Sequence, residues 1–580
     1  DFTKSIEIAG KAAESARLAQ EPDVFWQARY RAGRSYFRLS DMASARRAMA
    51  EAISTIESMG APPRRAQQPR YYESKAAPYL AMVDIELGER RGNEAYGFSQ
   101  RAKIRVLTGL LQGVKTQIVK TMTPGEQERE RQLLSEITIT NAQLYREQEA
   151  AKPKPARIAE LKSQLQKARA AYSDFRNRLY ALRPRLKLLR GEIKPVTVEL
   201  ASSLVADAET AILEFVETDE RVYLFVFTRE KPLAGKRRMR SGLSPALNIF
   251  ALETTRNDLF TRIAGLNQAI SSRDDAIGGP ACELYDLLIK PAQSVLEGKT
   301  RLIIAPDVVS WGLPFQALQN ASGRYLIEDF AVSYTPSPTI LSAISGFRNP
   351  MPTRRNNTSN RPVTLLAAGN PALNQEAVER IKTALSASQI ETLAESEKEV
   401  AELGKLYASQ QQLSLLGADA AENRVKTEAK NARFIHLAVR GIHHEASPAF
   451  SLMALAPDTE AKADGLLELR ELLRMDVGAE LVVLSATEWA APRTLSNRAM
   501  TAWTWAWFVA GSKAELISQW KTDSPATTEL MAEFHRRLKD DRMKTPKSAL
   551  WSAAVQSLIN QPDRRHPYYW AGFTLLSDAK

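Results

Sequence analysis

The sequence predicts an α plus α/β protein: an N-terminal helical solenoid and helical hairpin, then an α/β domain on a mostly parallel sheet. Three observations carry this. Paired amphipathic helices with small residues at regular offsets fill residues 1–110, an unbroken heptad of apolar residues runs from 158 to 182, and beyond about residue 200 short apolar runs alternate with helical stretches. At 580 residues the chain is too long for one core. The boundaries expected are 1–110 for the helical repeats, 111–199 for the hairpin and linker, and 200–580 for the α/β domain, itself divided into 200–360 and 361–580.

In the first region, the stretch WQARYRAGRSYFRLSDMASARRAMAEAI places Ala32-Gly33, Tyr36, Ala45, Met49 and Ala52 at the offsets of a tetratricopeptide repeat. Small residues there let two helices touch, and larger ones fill the groove to the next pair. A weaker unit follows, with Ala95 and Ala102 seven residues apart and Gly88 and Gly92 at the turn. A stack normally needs ~3 repeats, which leaves room for more before Asp1. A chain that starts at Asp1 rather than Met reads as a processed or excised product from which any leader has gone.

The second region turns to Glu, Gln, Arg, Leu and Ala, with a break at Lys152-Pro153-Lys154-Pro155. After it Ile158, Leu161, Leu165, Ala168, Tyr172, Phe175, Leu179 and Leu182 alternate spacings of three and four, a heptad seam. Apolar residues also recur before the break, at Leu133, Ile137 and Leu144, so a long antiparallel hairpin at about 126–195 is expected.

In the third region ILEFV and VYLFVFT flank the polar turn ETDER as a β-hairpin. LIIAP, VTLLAAG, FIHLAV, LVVLSA and ELISQW are apolar runs between helical stretches, the pattern of a parallel sheet covered on both faces. Active sites of such sheets lie at the carboxyl ends of strands. HLAVRGIHH and LSATEW each begin in a predicted strand and run into a polar end.

Composition narrows the chemistry. With 44% hydrophobic and 25% charged residues the chain is globular, and no apolar run approaches the ~18 residues of a membrane span. The single Cys282 excludes an internal disulfide framework and a thiolate zinc site, and with five histidines neither a metal nor a cofactor is expected. Compartment stays open, with the cytoplasm favoured. Residues 1–200 carry 36 Lys and Arg against 23 Asp and Glu, leaving 43 against 44 elsewhere, so the net +12 resides in the N-terminal third.

The blocks LYDLLIKPAQSVLEGKTRLIIAPDVVSWGLPFQAL, YLIEDFAVSYTPSPTIL, FIHLAVRG, LVVLSATEW and HPYYWAGFTLLSD resemble, in order and spacing, the CHAT domain, a caspase-like module of the separase clan that typically follows tetratricopeptide repeats. The resemblance implies cysteine peptidase chemistry and, for relatives, a place in bacterial defence or cell death. An active member ends one strand in a pattern like HLATHG and its neighbour in one like LSACET. Its histidine moves the proton, its cysteine attacks as thiolate, and backbone N–H groups hold the oxyanion.

Carried onto this chain, the histidine position is Arg440, the cysteine position is Thr487, and Gly441 and Thr487 supply the oxyanion N–H groups. Guanidinium stays protonated and has no lone pair to accept a proton. A threonine hydroxyl is a far poorer nucleophile than a thiol. Losing both groups predicts a catalytically inactive, protein-binding pseudopeptidase. The alternative is an active hydrolase in which Thr487 pairs with His443 or His444, oriented by Glu488. Arg440 is expected to bind an anion or, with slight preference, to plug the empty pocket by pairing with Glu488 or Glu445. Trp489 is placed to narrow the cleft, while Trp503, Trp505, Trp507, His436 and Cys282 read as core. The expected partner is a protein or peptide held in the repeat groove through arginines such as Arg31 and Arg38, with nucleic acid the lesser expectation.

Overall fold

The computed structural model describes residues 1–59, 74–110, 122–148, 152, 154–229, 246–347, 363–385, 390, 393–442, 448–458, 460, 463–488, 497–520, 523–540, 545 and 547–577. The chain divides into two compact units, Asp1–Leu110 with Lys194–Lys580, and Leu111–Ile193.

The first unit begins with α1 (Phe2–Leu18), α2 (Pro22–Arg38), α3 (Met42–Ser58), α4 (Ala77–Gly88) and α5 (Gly92–Leu110). Three of the reversals share one geometry. Gln20, Ser40 and Arg90 take φ of 58°, 61° and 59°, and the next residue's N–H bonds back to the carbonyls of Ala16, Tyr36 and Glu86 at 2.9, 3.0 and 2.8 Å. This left-handed stop satisfies the orphan carbonyls of each helix end and sends the chain back antiparallel. Helices α2 and α3 close on small residues: Ala45 and Ala52 are fully buried, and a Cβ on Gly33 would lie 2.8 Å from Met49 Cε.

The second unit contains α6 (Pro124–Gln148) and α7 (Pro155–Leu182). The seam closes as an antiparallel pair, with Leu144 against Leu161 and Leu165 at one end and Arg183 on Glu126 at 3.1 Å at the other. Leu182, the last seam residue and the last residue of α7, is 77% exposed and so falls outside the packed seam.

The rest of the first unit is an 11-stranded sheet of order β3-β2-β1-β4-β5-β15-β14-β12-β8-β6-β7. Its strands are β1 (Thr210–Glu217), β2 (Val222–Thr228), β3 (Ala246–Leu252), β4 (Arg301–Ala305), β5 (Ala331–Tyr334), β6 (Val363–Pro371), β7 (Gln412–Gly417), β8 (Ala432–Ala438), β12 (Leu481–Leu484), β14 (Ala514–Ser518) and β15 (Phe573–Ser577). Every apolar run read as a strand is one. Strands β1, β4, β5 and β15 are mutually parallel, as are β14, β12, β8, β6 and β7. Strand β15 runs antiparallel to β14, so the sheet reverses direction there. A small second sheet pairs β9 (Gly441–Ile442), β10 (Leu452–Ala454), β11 (Leu466–Glu468) and β13 (Thr487–Glu488).

Helix α5 locks onto the sheet through polar groups taken out of water. Glu214 of β1 is fully buried, and its Oε1 accepts from Gln100 at 2.7 Å and pairs with Lys103 Nζ at 2.8 Å. Lys103 also donates to the Phe215 carbonyl at 3.0 Å. Among the described residues no helix is long and apolar enough to cross a membrane.

Candidate active site

Strands β8 and β12 lie side by side in parallel, Ile435 opposite Val482 and Leu437 opposite Leu484. Each is fully buried, as expected of β-branched and leucine runs covered on both faces. Past their carboxyl ends both chains continue into the small sheet, where Thr487 pairs with Gly441 and Glu488 with Ile442. The strand ends that carry HLAVRG and LSATEW are therefore neighbours, at the edge where such sheets place their chemistry.

Arg440 immediately precedes Gly441 and is 5% exposed. Its carbonyl accepts from the Ala454 N–H at 2.8 Å, which ties the turn after β8 to β10. Gly441 has strand partners on both sides, Met453 and Thr487. His443, His444, Glu445 and Trp489 lie outside the described residues, as do the side chains of Thr487 and Glu488. Trp503, Trp505 and Trp507 are buried. Cys282 sits half-buried on the helix Gly278–Leu288. Arg38 does not stand open: its Nη2 is 2.7 Å from Glu220 Oε1, within the same chain. Arg31 is exposed on α2. Among the described residues no group of three His, Cys, Asp or Glu side chains is arranged to hold a metal.

One turn inward on the same two strands lies a constellation of which the sequence singled out only His436, as core. It is core, at 0% exposure, and it is also the middle of a polar chain. Its Nε2 is 2.7 Å from Oε1 of Glu399 on α8 (Ala394–Leu406), and its Nδ1 is 3.2 Å from Nε2 of His535 on α9 (Ser524–Asp540). His535 Nδ1 meets the Tyr407 hydroxyl at 3.0 Å. A carboxylate only accepts, so His436 Nε2 carries a proton, and in the neutral ring its Nδ1 accepts. His535 Nε2 then donates and Tyr407 O–H donates in turn. The three contacts thus have one direction, from Tyr407 to Glu399.

Ser485 Oγ lies 3.3 Å from the same His436 Nε2. In this arrangement that nitrogen bears hydrogen, so His436 is no base for Ser485. Burial, with the neighbouring His436, holds the His535 pKa well below the ordinary imidazole value, and burial pushes Tyr407 up. All four side chains of this polar chain are buried. Glu399 and Tyr407 come from one helix and its C-cap and His535 from another helix, and nothing in their local sequence marks them.

The CHAT domain family matches residues 279–578 of the chain. Among solved structures, two of the Saccharomyces cerevisiae separase–securin complex align over 98% of this chain and 48% of theirs. Their identities are 7% and 9% and their TM-scores 0.38 and 0.34. The chain spans about half the length of those matched chains. No curated protein matches it.

Proposed function

Because the chain belongs to the CHAT domain family, we propose that it is a catalytically silent member, a caspase-like pseudopeptidase that works by binding another protein through its N-terminal helical pairs. The observation that carries this reading is the pairing of Gly441 with Thr487 at the ends of β8 and β12. It sets the two positions where the resemblance expects histidine and cysteine beside each other, and they hold Arg440 and Thr487. An arginine accepts no proton at physiological pH, so Arg440 cannot activate a threonine hydroxyl as a histidine activates a thiol. The tetratricopeptide reading of the helical pairs rests on Gly33 against Met49 and on the buried Ala45 and Ala52.

Incubation of the purified chain with diverse peptide libraries tests the reading. No cleavage is expected, since loss of base and nucleophile together typically costs ~10⁶ in turnover. Turnover that disappears on Thr487→Ala overturns it in favour of a hydrolase using Thr487 with His443 or His444.

A further inference from the structure

We propose that the cleft between α2 and α4 is a receptor for acidic peptide segments of the form hydroxyl residue, acid, acid, and that the chain's own Thr218-Asp219-Glu220 turn occupies it in cis. This rests on the partner-binding reading above and supplies the chemistry of the partner.

The turn joins β1 to β2 and closes on itself. Thr218 N–H bonds the Arg221 carbonyl at 2.9 Å, and Thr218 Oγ1 accepts from the N–H groups of Glu220 and Arg221 at 3.2 and 3.0 Å. With its backbone satisfied internally, the turn meets the helices through side chains. Tyr30, Arg34 and Arg38 stand at intervals of four on one face of α2. Tyr30 donates to Asp219 Oδ2 at 3.2 Å, Arg34 pairs with the same oxygen at 3.1 Å, and Arg38 pairs with Glu220 at 2.7 Å. From α4, Asp84 shares the Thr218 hydroxyl with the Arg221 carbonyl, each at 2.9 Å. One helix face therefore reads two successive acids, and the other helix reads the hydroxyl before them. The turn fills the space, leaving a cavity of ≈ 20 Å³ floored by Phe37, Met49 and Leu80.

Two features mark this contact as exchangeable. Arg34, Arg38 and Asp219 are 43%, 46% and 41% exposed, and half-exposed ion pairs contribute little each. Asp219 is also not held by α2 alone, since Arg256 stands 3.7 Å from its other carboxylate oxygen. A tethered turn competes at an effective concentration in the millimolar range, so it hides the receptor from weak ligands without new contacts.

The test uses the full chain, a fluorescent peptide with the sequence of residues 215–223, and anisotropy at moderate salt. The double variant Asp219→Ser/Glu220→Ser is expected to bind the peptide at least tenfold more tightly than the unmodified chain. Adding Arg34→Gln/Arg38→Gln, a neutral change that keeps the side-chain bulk, is expected to reverse that gain, and a peptide with Asn-Gln in place of Asp-Glu is expected to bind neither. The proposal is overturned if opening the turn leaves affinity unchanged, if binding survives the arginine changes, or if oligothymidylate binds the opened chain more tightly than the peptide does. Circular dichroism on each variant identifies loss of fold, and should the arginine variants unfold, the Asn-Gln peptide decides alone. Peptide-library turnover reads the pseudopeptidase assignment separately, so failure of either leaves the other standing.

Discussion

Thr487 stands directly opposite Gly441 in parallel register, one residue past the buried Arg440. The pairing fixes the spatial relation of the two positions by backbone ladder alone, so their chemistry can be changed by substitution without moving the strands that carry them.

Electrophilic peptide probes are expected to leave that strand end unlabelled. The chain has one cysteine, Cys282, on a helix outside β8 and β12, so any thiol adduct must form there. Intact mass spectrometry should find a single adduct at most in the unmodified chain and none in Cys282→Ser. Labelling of Cys282→Ser by the same probe would locate a reactive hydroxyl and contradict a silent site.

Lys103→Met should destabilise the protein by about 3–5 kcal/mol, because it leaves the fully buried Glu214 carboxylate without its cation. Lys103→Met/Glu214→Gln should recover much of that loss, since the remaining amide carries no charge to bury. Denaturant midpoints of the two variants decide it: equal losses would mean that packing of the lysine stem, and not the charge, holds α5 to β1.

Tyr407→Phe removes the first donor of the buried chain and should cost about 1 kcal/mol, and His535→Leu, which strips His436 Nδ1 of its donor, about 1–3 kcal/mol. The second effect depends on pH with a definite sign. Since the folded pKa of His535 lies below the unfolded value, the unfolded state takes up the proton first. The stabilisation is present above about pH 6.5 and is lost as pH falls below it. The gap between the parent and His535→Leu should therefore narrow from pH 8 to pH 5.5; a gap that widens would refute the direction.

Asp84 carries the opposite slope. Burial pushes its carboxyl up to about 7, while the Thr218 and Tyr223 hydroxyls that it accepts work against the rise. An acid with a raised folded pKa contributes stability that is complete below its unfolded value, near 4, and is lost as pH rises through 7. Asp84→Asn mimics the protonated form, so the variant should gain about 1–3 kcal/mol on the parent between pH 5 and pH 8. Glu217, also raised to about 7 by burial, is present in both proteins and cancels in the difference.

The helical pairs and the strands that bear the site were legible because their signals are local: Gly33 and Ala45 at fixed offsets, Val482 and Val483 within one apolar run. Strand β7 escaped because it is a mostly half-exposed edge strand whose leucines are interrupted by Gln412 and Ser414, so it shows no continuous apolar run. The partners of His436 escaped for a different reason. Glu399 and His535 lie 37 and 99 residues from it along the chain, and only the fold makes them neighbours. Arg38 was visible as a basic residue on a helix face, but its ion pair with Glu220 spans 182 residues.

The antiparallel seam between β14 and β15 decides how occupancy at one place can be felt at another. It sends the carboxyl ends of β8 and β12 to one rim of the sheet, and those of β1 and β4, with the Thr218–Arg221 turn, to the opposite rim. Strands of five to eight residues separate the two rims by roughly 17–26 Å. A peptide captured by α2 and α4 therefore cannot reach the rim of Arg440 and Thr487 by simple obstruction. Any message between them has to run the length of the strands and also cross β4, β5, β15 and β14, which stand between β1 and β12.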